Sequence, residues 1–353
     1  MAGWPVCGAL PVTTIRVLLT GGYRNRNPLA YPAIRTALGT RITLVDRPED
    51  AQLLLISHIR DIELFGASLA LTLRRFPRLR LVLLSEEPLW DSCRMADPFR
   101  RQQRLATPEG PVDCLVLNHA TSRIFRAARI PYFLLTDPRY IDHYRPRFDR
   151  NAGWSAQDWQ RHFAQVPLDA LFLAKRRTEA WLAPDFGSDA LRGLSVWRSH
   201  LAERCLGDRV VRAGAGWDDA PPRQDLEDWH ADKLARFDLQ VRYVSALENT
   251  HQDDYISEKL WDAFAMGAIP LYLAGPGHAV HRLLGAGGWV NLHADLDAVP
   301  VFDARRPVDA ATAAAYAARQ AQLAQLFADR AGIAAEYAHL CDALVQELGA
   351  AAA

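Results

Sequence analysis

The chain has 353 residues, half of them hydrophobic and 23% charged, which is typical of a folded protein and excludes a chain that is disordered throughout. Lysine plus arginine and aspartate plus glutamate each number 41, so the formal net charge is zero. Binding of nucleic acids or membrane surfaces through a general excess of positive charge is therefore disfavoured.

Cysteine usage and the first apolar run indicate the compartment. The cysteines form no Cys-x-x-Cys pair, which argues against a disulfide framework or a structural zinc site and fits a reducing compartment. Residues 15–19 are too short to cross a bilayer and are followed by Gly21, so they favour a buried strand. We expect a cytoplasmic protein without an integral membrane segment. The cysteines are Cys7, Cys93, Cys114, Cys205 and Cys341.

The N-terminal half alternates short apolar runs with amphipathic stretches. Mostly apolar runs of this length are typical of strands buried on both faces, as in parallel sheets. Residues 62–75 between two such runs have helical spacing, so the alternation predicts an α/β domain. The predicted strands are 15–19, 42–45, 53–56, 81–84, 114–117 and 132–135.

The rest of the chain predicts a connection, a second α/β series and a helical end. Residues 137–167 are rich in Arg, Asp, Pro and aromatic residues and have little periodicity, which favours a connecting region. Residues 307–348 are Ala-rich with a broken apolar stripe, which favours a packing helix or helix pair, with an oligomerisation helix as the alternative. The strands predicted between them are 210–212, 241–247, 269–273 and 289–292.

Residues 243–276 are the most informative segment, with the pattern strand, polar loop, helix, turn, strand. The spacing of the apolar residues predicts a helix with Asp253 or Asp254 as its N-cap, ended by Gly267. The segment therefore places a helix N-terminus directly after a polar loop, and such a terminus attracts phosphate because its N–H groups are free and its dipole is positive there.

Glu258 and Lys259 fall near the first turn of this helix. A cation is disfavoured at a helix N-terminus, so Lys259 makes sense there if an anionic ligand offsets its charge. A neighbouring glutamate can accept hydrogen bonds from sugar hydroxyls. The alternative from the residues alone is that both are ordinary solvated helix residues.

The pattern around these residues resembles the donor-binding motif of the family 10 glycosyltransferases, the α1,3/α1,4-fucosyltransferases. It consists of Glu-Asn at 248–249, Tyr-Ile-Ser-Glu-Lys at 255–259 and Gly-Ala-Ile-Pro at 267–270, and the resemblance extends from about residue 232 to 291. The resemblance implies a GT-B-like fold, in which two Rossmann-type α/β domains enclose a cleft. It also implies GDP-fucose as the donor and inversion at the anomeric carbon, with the acceptor held by the N-terminal domain.

Residue by residue, the resemblance assigns Asn249, Tyr255, Glu258 and Lys259 to the donor site. Arg198 matches the family arginine that contacts the diphosphate. Lys259 and Arg198 would stabilise the departing diphosphate without a metal, so we expect no cofactor besides the donor itself. We also expect replacement of Lys259 by alanine to weaken donor binding and to leave stability almost unchanged.

A carboxylate base is the remaining requirement of the transfer. Glu86 and Glu87 follow the predicted strand 81–84 at a ligand-facing sheet edge, and the triplet 86–88 resembles the Glu-x-Pro that carries the family base. The alignment favours Glu86 as the base, with Glu87 as the alternative, and a third alternative is that neither acts. The Asp-Leu-Asp at 295–297 has the spacing of metal-dependent transferases, but its context favours a solvated loop.

The expected domains are an acceptor-binding domain at 1–165, a donor-binding domain at 166–306 and a helical segment at 307–353. The expected reaction is inverting transfer of L-fucose from GDP-fucose to a hydroxyl of a glycan acceptor, with an α1,3-type linkage. Ala-Pro-Asp at 183–185 stands where many members carry Ser-Asn, which keeps another nucleotide sugar open. A non-catalytic nucleotide- or glycan-binding module is the alternative of a different class. Animal members carry a membrane anchor, so the chain looks like a bacterial form. The oligomeric state is left open.

Overall fold

The computed structural model describes residues 14–187, 191–218 and 225–353, so Cys7 lies outside the described residues. The chain divides into two compact units, which we describe separately. The first unit comprises the residues up to Glu86 together with 99–124 and 340–353, and the second comprises 87–98 and 125–339. Each unit is built around a mainly parallel sheet with helices, which confirms the predicted α/β class.

The first unit contains a six-stranded sheet in the order β2-β1-β3-β4-β6-β5. All its strands pair in parallel except β5, which pairs antiparallel with β6 at the edge. The central strands β3 and β4 are apolar along most of their length and almost fully buried, as parallel strands covered on both faces must be. The elements are β1 (Ile15–Leu19), α1 (Pro32–Leu38), β2 (Ile42–Leu44), β3 (Leu53–Ile56), α2 (Arg60–Arg75), β4 (Arg80–Leu84), β5 (Gln102–Leu105) and β6 (Val112–Leu117).

The second unit contains a five-stranded parallel sheet in the order β13-β12-β10-β7-β9 and a two-stranded antiparallel sheet of β8 and β11. Its strands are β7 (Leu168–Leu173), β8 (Leu191–Gly193), β9 (Val210–Ala213), β10 (Val241–Ser245), β11 (Thr250–Gln252), β12 (Ile269–Tyr272) and β13 (Val290–Asn291). Its helices are α3 (Tyr132–Leu135), α4 (Arg139–Ala152), α5 (Ala156–Gln165), α6 (Ser195–Glu203), α7 (Trp229–Arg236), α8 (Glu258–Ala265), α9 (Val280–Leu284) and α10 (Ala310–Ala328).

The last helix, α11 (Arg330–Ala352), follows α10 after a single residue, so the predicted helical C-terminal segment is a pair of helices. From residue 340 onward α11 belongs to the first unit. There Glu347 forms an ion pair of 2.6 Å with Arg101, and Asp342 forms one of 2.6 Å with Arg41. Among the described residues, every helix is too short or too polar to cross a lipid bilayer.

The predicted strand at 132–135 is wrong, because these residues form the short helix α3. Pro131 precedes the helix, and the Phe133 ring packs edge-on against Tyr255 at 5.5 Å between centroids. An apolar run of four residues has no period that separates a buried helix from a buried strand, so only its packing decides between them.

The predicted connecting region 137–167 is also wrong in character, because it forms α4 and α5. Helix α4 packs on α10, where the Phe148 and Phe327 rings stack at 5.1 Å, and Asn151 donates a hydrogen bond of 3.2 Å to Gln320. A reciprocal capping box between Ser155 and Asp158 begins α5. These helices belong to the second unit, and the domain bounds of 1–165 and 166–306 stay a prediction.

Strand β7 was not predicted because Asp169 interrupts its apolar pattern. The Asp169 carboxylate is 6% exposed and lies 3.2 Å from Arg209 and 3.7 Å from Arg242. These two arginines compensate its buried charge. The other predicted strands are confirmed to within a few residues.

Candidate donor site in the second unit

The scaffold of the site is the segment β10, β11, α8 and β12 of the second unit. Strands β10 and β12 pair in parallel, with Tyr243 opposite Ile269. The predicted strand, helix, turn and strand are confirmed, but part of the predicted polar loop forms the short strand β11. Helix α8 ends just before Gly267, whose φ of 72° only glycine adopts without strain. A Cβ at this position would lie only 2.5 Å from the Leu239 side chain, so there is also no space for a side chain on residue 267.

The N-cap of α8 is Ser257, so the predicted N-cap at Asp253 or Asp254 is wrong. The Ser257 backbone is extended, and its hydroxyl oxygen accepts a hydrogen bond from the Lys259 N–H. Asp254 instead lies 3.4 Å from the Arg126 guanidinium. The helix therefore begins at Glu258, and the prediction that Glu258 and Lys259 occupy its first turn is confirmed.

The carboxylate of Glu248 organises this helix N-terminus. It is 3% exposed and accepts hydrogen bonds from the Ser257 N–H at 2.7 Å, the Ser257 hydroxyl at 2.8 Å and the Lys259 ammonium at 3.0 Å. Burial raises the pKa of Glu248 above its usual range, while Lys259 acts in the opposite direction. Sequence reasoning placed Glu248 in the motif without a role, and the Glu-Asn pair before the polar loop was its signal.

The side chain of Lys259 is 25% exposed and lies between two carboxylates. Its ammonium is 3.0 Å from Glu248, 3.6 Å from Glu258 and 2.7 Å from the Ser257 hydroxyl. Burial acts to lower the pKa of Lys259, but the neighbouring carboxylates raise it above its usual value. The positive charge of Lys259 at this helix N-terminus is therefore already offset by Glu248 and Glu258. This revises the expectation that an anionic ligand offsets the charge.

The side chain of Glu258 is 12% exposed, so it is not a solvated helix residue. Burial acts to raise its pKa, but Lys259 and Lys233 bring the pKa below the usual range. Glu258 is therefore a carboxylate at the first position of α8, where the positive end of the helix dipole also favours its charge.

Asn249 and Tyr255 meet at the carboxylate of Glu87. One oxygen of Glu87 accepts hydrogen bonds from the Asn249 amide at 3.0 Å and from the Tyr255 hydroxyl at 2.8 Å. The Tyr255 side chain is buried, and burial together with Glu87 holds its pKa well above the usual value, so its hydroxyl remains a hydrogen-bond donor. Two residues that the sequence assigned to one site are thus joined by a third from a distant part of the chain.

Glu86, the preferred candidate base, is the last residue of this stretch of the first unit. Its carboxylate is 5% exposed and accepts a hydrogen bond of 2.8 Å from the Tyr31 hydroxyl. Glu87, the alternative, belongs to the second unit and lies against the predicted donor residues. The two adjacent glutamates therefore have different partners, and the assignment of the base to Glu86 stays a prediction.

Arg198 lies on α6 and is 7% exposed. One of its terminal nitrogens donates a hydrogen bond of 3.4 Å to the Leu247 carbonyl, but its Nε is buried without a partner among the described residues. No ion pair joins it to a carboxylate in the described part of the chain. The pKa of Arg198 is lowered to about 10, mainly by burial and also by the nearby Arg177, whereas Glu248, Tyr255 and Glu87 act to raise it.

Arg177 is a residue of this region that the sequence reasoning missed. Its backbone N–H donates a hydrogen bond of 2.9 Å to the hydroxyl of Ser199, the neighbour of Arg198 on α6. Its guanidinium stacks on the Trp90 ring at 4.9 Å from the centroid, and its Nε is buried without a partner in the described ranges. No sequence signal separates Arg177 from the other arginines of the chain, because its surroundings come from two distant segments.

A group of potential metal ligands also lies in the second unit, at His143, Asp228 and His230, with ligand atoms within 4.8 Å of one another. Asp228 already caps α7 by accepting bonds from two backbone N–H groups, and it lies 3.3 Å from Arg139. His230 contacts the buried Asp262 at 2.5 Å through Nε2. Asp228 and His230 are thus already engaged by other groups of the second unit.

Comparison with known families matches one segment of the chain. A family model described as the C-terminal part of glycosyltransferase family 10 (fucosyltransferase) matches residues 220–296. Residues 220–296, which we call the family 10 segment, are therefore similar to the C-terminal part of this family. The family 10 segment contains four of the predicted donor residues, Asn249, Tyr255, Glu258 and Lys259, while Arg198 lies outside it.

The curated relatives of this chain match it over short stretches. One is alpha-(1,3)-fucosyltransferase B from Drosophila melanogaster, 37% identical over 51 residues, which are 14% of this chain and 12% of the relative. Another is GDP-fucose protein O-fucosyltransferase 3 from Bos taurus, 41% identical over 46 residues, which are 13% of this chain and 10% of the relative. The chain thus matches about a tenth of the length of these relatives.

Two solved structures are similar to this chain over most of its length. A crystal structure of an alpha1,3-fucosyltransferase with GDP-fucose has a TM-score of 0.41 and 12% identity, covering 96% of this chain and 85% of the other. A second crystal structure of an alpha1,3-fucosyltransferase has a TM-score of 0.40 and 12% identity, covering 83% of this chain and 76% of the other.

Proposed function

We propose that this chain is a family 10 enzyme that transfers L-fucose from GDP-fucose to a hydroxyl of a glycan acceptor, with inversion at the anomeric carbon and an α1,3-type linkage. The observation that carries the proposal is the family 10 segment at 220–296. Its residues Asn249 and Tyr255 flank the short strand β11, and Glu258 and Lys259 begin α8. The name of the bovine relative, a GDP-fucose-dependent transferase, supports the choice of donor.

The second unit supplies the groups that the leaving diphosphate needs. As the bond between the anomeric carbon and the phosphate oxygen breaks, that oxygen gains negative charge and must be stabilised. Arg198 is buried and forms no ion pair among the described residues, so its positive charge is available to the diphosphate. Lys259 adds a second hydrogen-bond donor, which its carboxylate partners hold in place. Loss of one such contact typically costs about 10²–10³ in rate.

The acceptor hydroxyl must lose its proton as its oxygen attacks the anomeric carbon. We assign this proton to the Glu86 carboxylate, following the resemblance of 86–88 to the family Glu-x-Pro. In this step the acceptor oxygen forms a bond to the anomeric carbon, and the bond between that carbon and the phosphate oxygen of GDP breaks. GDP leaves, and the acceptor proton remains on Glu86. The acceptor is assigned to the N-terminal domain, and the reaction needs no metal in this scheme.

The experiment that tests the proposal is a panel of nucleotide sugars with the purified chain. We expect the protein to release GDP from GDP-fucose and to show no turnover of the other nucleotide sugars. Turnover confined to another nucleotide sugar would remove fucose and leave a transferase of different donor specificity. Nucleotide binding without turnover of any donor, with a range of glycan acceptors present, would favour the non-catalytic binding module.

The departure at Ala183-Pro184-Asp185 is the reason for including other donors. Asp185 does not contribute a free donor-site carboxylate, because it forms an ion pair of 2.6 Å with Arg192 and accepts a hydrogen bond from the Gly187 N–H. The Ser-Asn pair that many members carry there is therefore not replaced by an equivalent group at these positions, so the panel should include GDP-mannose and UDP-sugars.

A further inference from the structure

We propose that Arg177 is a second guanidinium of the diphosphate site, acting beside Arg198 and positioned by stacking on Trp90. The inference rests on the proposed function for the identity of the nucleotide, but its chemistry is that of any diphosphate. It concerns residues 90 and 177, both outside the family 10 segment at 220–296.

Arg177 is held beside Arg198 by its own backbone. The hydrogen bond of 2.9 Å from the Arg177 N–H to the Ser199 hydroxyl fastens residue 177 to helix α6 next to Arg198. The Ser199 hydroxyl in turn donates a hydrogen bond of 3.1 Å to the Ser195 carbonyl, one turn earlier in α6. The approach of the two arginines is therefore built into the backbone rather than left to flexible side chains.

The guanidinium of Arg177 is oriented by Trp90. Its central carbon lies 4.9 Å from the Trp90 ring centroid, which is within the range of a cation–π contact. Trp90 packs in turn against Trp181, at 5.9 Å between centroids. Stacking leaves the in-plane N–H groups of a guanidinium available for a ligand, and those groups match two phosphate oxygens.

The two arginines lack the carboxylate partners that other arginines of this unit have. Arg176, the neighbour of Arg177, pairs with Glu203 at 2.6 Å, and Arg192 pairs with Asp185 at 2.6 Å. In the described residues, Arg177 and Arg198 each have a buried Nε without a hydrogen-bond partner and form no ion pair. A buried cation without a counter-ion costs free energy, which a bound anion would offset.

Two further features fit an anion beside Arg198. The hydroxyl of Ser195, three residues earlier on the same face of α6, is also buried without a partner among the described residues. Glu87 acts on both arginines electrostatically, but its carboxylate is held by Asn249 and Tyr255 instead. Burial lowers the pKa of Arg177, while the more distant carboxylates of Glu179 and Glu87 act in the opposite direction without forming an ion pair with it in the described part of the chain.

The test measures nucleotide binding by calorimetry for wild type, Arg177→Met and the matched control Arg176→Met. Arg177→Met should weaken GDP binding about 10- to 100-fold, because a charge-assisted hydrogen bond pair is lost. Guanosine binding should stay unchanged, and Arg177→Lys should fall between wild type and Arg177→Met. Arg176→Met should bind GDP like wild type, because that arginine is engaged by Glu203.

Stability and the Trp90 contact separate a ligand contact from a merely structural arginine. The ligand-free thermal midpoint of Arg177→Met should equal or exceed that of wild type, since a repelling cation is removed without orphaning a carboxylate. Trp90→Leu should weaken GDP binding, and Trp90→Phe should restore it by keeping an aromatic face. A lower midpoint with unchanged GDP affinity would overturn the inference.

A pyrophosphate arm distinguishes this inference from the proposed donor. If wild type binds inorganic pyrophosphate or UDP but not GDP, and Arg177→Met loses that binding, the donor assignment fails and the inference stands. If wild type binds GDP and Arg177→Met binds it within about twofold of wild type, the inference fails and the proposed function stands. If wild type binds no diphosphate, both fail.

Discussion

The ammonium of Lys259 lies 3.0 Å from a carboxylate oxygen of Glu248, which is itself only 3% exposed. The lysine that the family resemblance assigns to the donor is thus also the counter-ion of a buried carboxylate. The donor contact that the resemblance implies and this structural contact would meet in one side chain, so we expect its replacement to affect both binding and folding.

We predict that Lys259→Met lowers the free energy of unfolding by about 1–3 kcal/mol, because it leaves the buried Glu248 without its cation. This revises the expectation of unchanged stability that the sequence alone supports. Nucleotide binding should also fall in the same variant. Chemical denaturation and calorimetry measure the two effects.

The double variant Lys259→Met with Glu248→Gln is the control for this prediction. It removes both charges, so most of the stability should return while nucleotide binding stays weak. Recovery of both stability and binding would show that Lys259 has no direct contact with the nucleotide.

For the base, we predict that Glu86→Gln lowers turnover by about 10²–10⁴ with GDP binding retained, because the amide cannot take the acceptor proton. The amide oxygen can still accept the hydrogen bond from Tyr31, so the local structure should persist. Glu87→Gln is the matched control, because its amide oxygen can still accept from Asn249 and Tyr255. The reverse pattern of activities would transfer the role of base to Glu87.

Chelation should leave the transfer reaction at least partly active. In the proposed scheme the diphosphate charge is stabilised by arginine and lysine, so EDTA-treated protein should keep turning over GDP-fucose. Initial rates before and after dialysis against EDTA, with Mg²⁺, Mn²⁺ and Zn²⁺ added back, check this. Complete loss that one metal restores would contradict it and would direct attention to the ligand group His143, Asp228 and His230.

Asp262 on α8 is a stability element beneath the site. Its carboxylate contacts the His230 ring at 2.5 Å, accepts a hydrogen bond from Tyr144 at 2.7 Å and pairs with Lys233. Burial acts to raise the pKa of Asp262, but Lys233 and His230 lower it to about 2. The ionised form therefore stabilises the native state above the unfolded pKa of about 4, and this stability is lost as the pH falls towards 2.

We predict that Asp262→Asn lowers the free energy of unfolding by about 3–5 kcal/mol at neutral pH, because Lys233 loses its buried partner. The variant should also lose the part of the acid dependence between pH 4 and 2 that Asp262 contributes. Urea denaturation across this range measures both effects. The exposed Asp142 on α4 offers the control Asp142→Asn, and equal effects of the two substitutions would contradict the prediction.

Local sequence patterns predicted many of the strands and helices of the fold. The apolar runs at 15–19 and 53–56 coincide with β1 and β3, because strands buried on both faces of a parallel sheet need continuous apolar residues. Residues 132–135 have the same composition but form a helix, and β7 contains a buried aspartate. In both cases contacts with distant residues outweighed the local pattern.

The amino-acid sequence by itself determined the α/β class and the position of Glu258 and Lys259 at a helix N-terminus, because apolar period and motif spacing are written within a short stretch of chain. Only the tertiary structure decided that Glu248 neutralises Lys259 and that Asn249 meets Glu87. It also decided that Arg177 and Arg198 each have a buried Nε without a hydrogen-bond partner among the described residues. Asn249 and Glu87 are 162 residues apart, and the charge environment of a side chain depends on which distant segments fold against it.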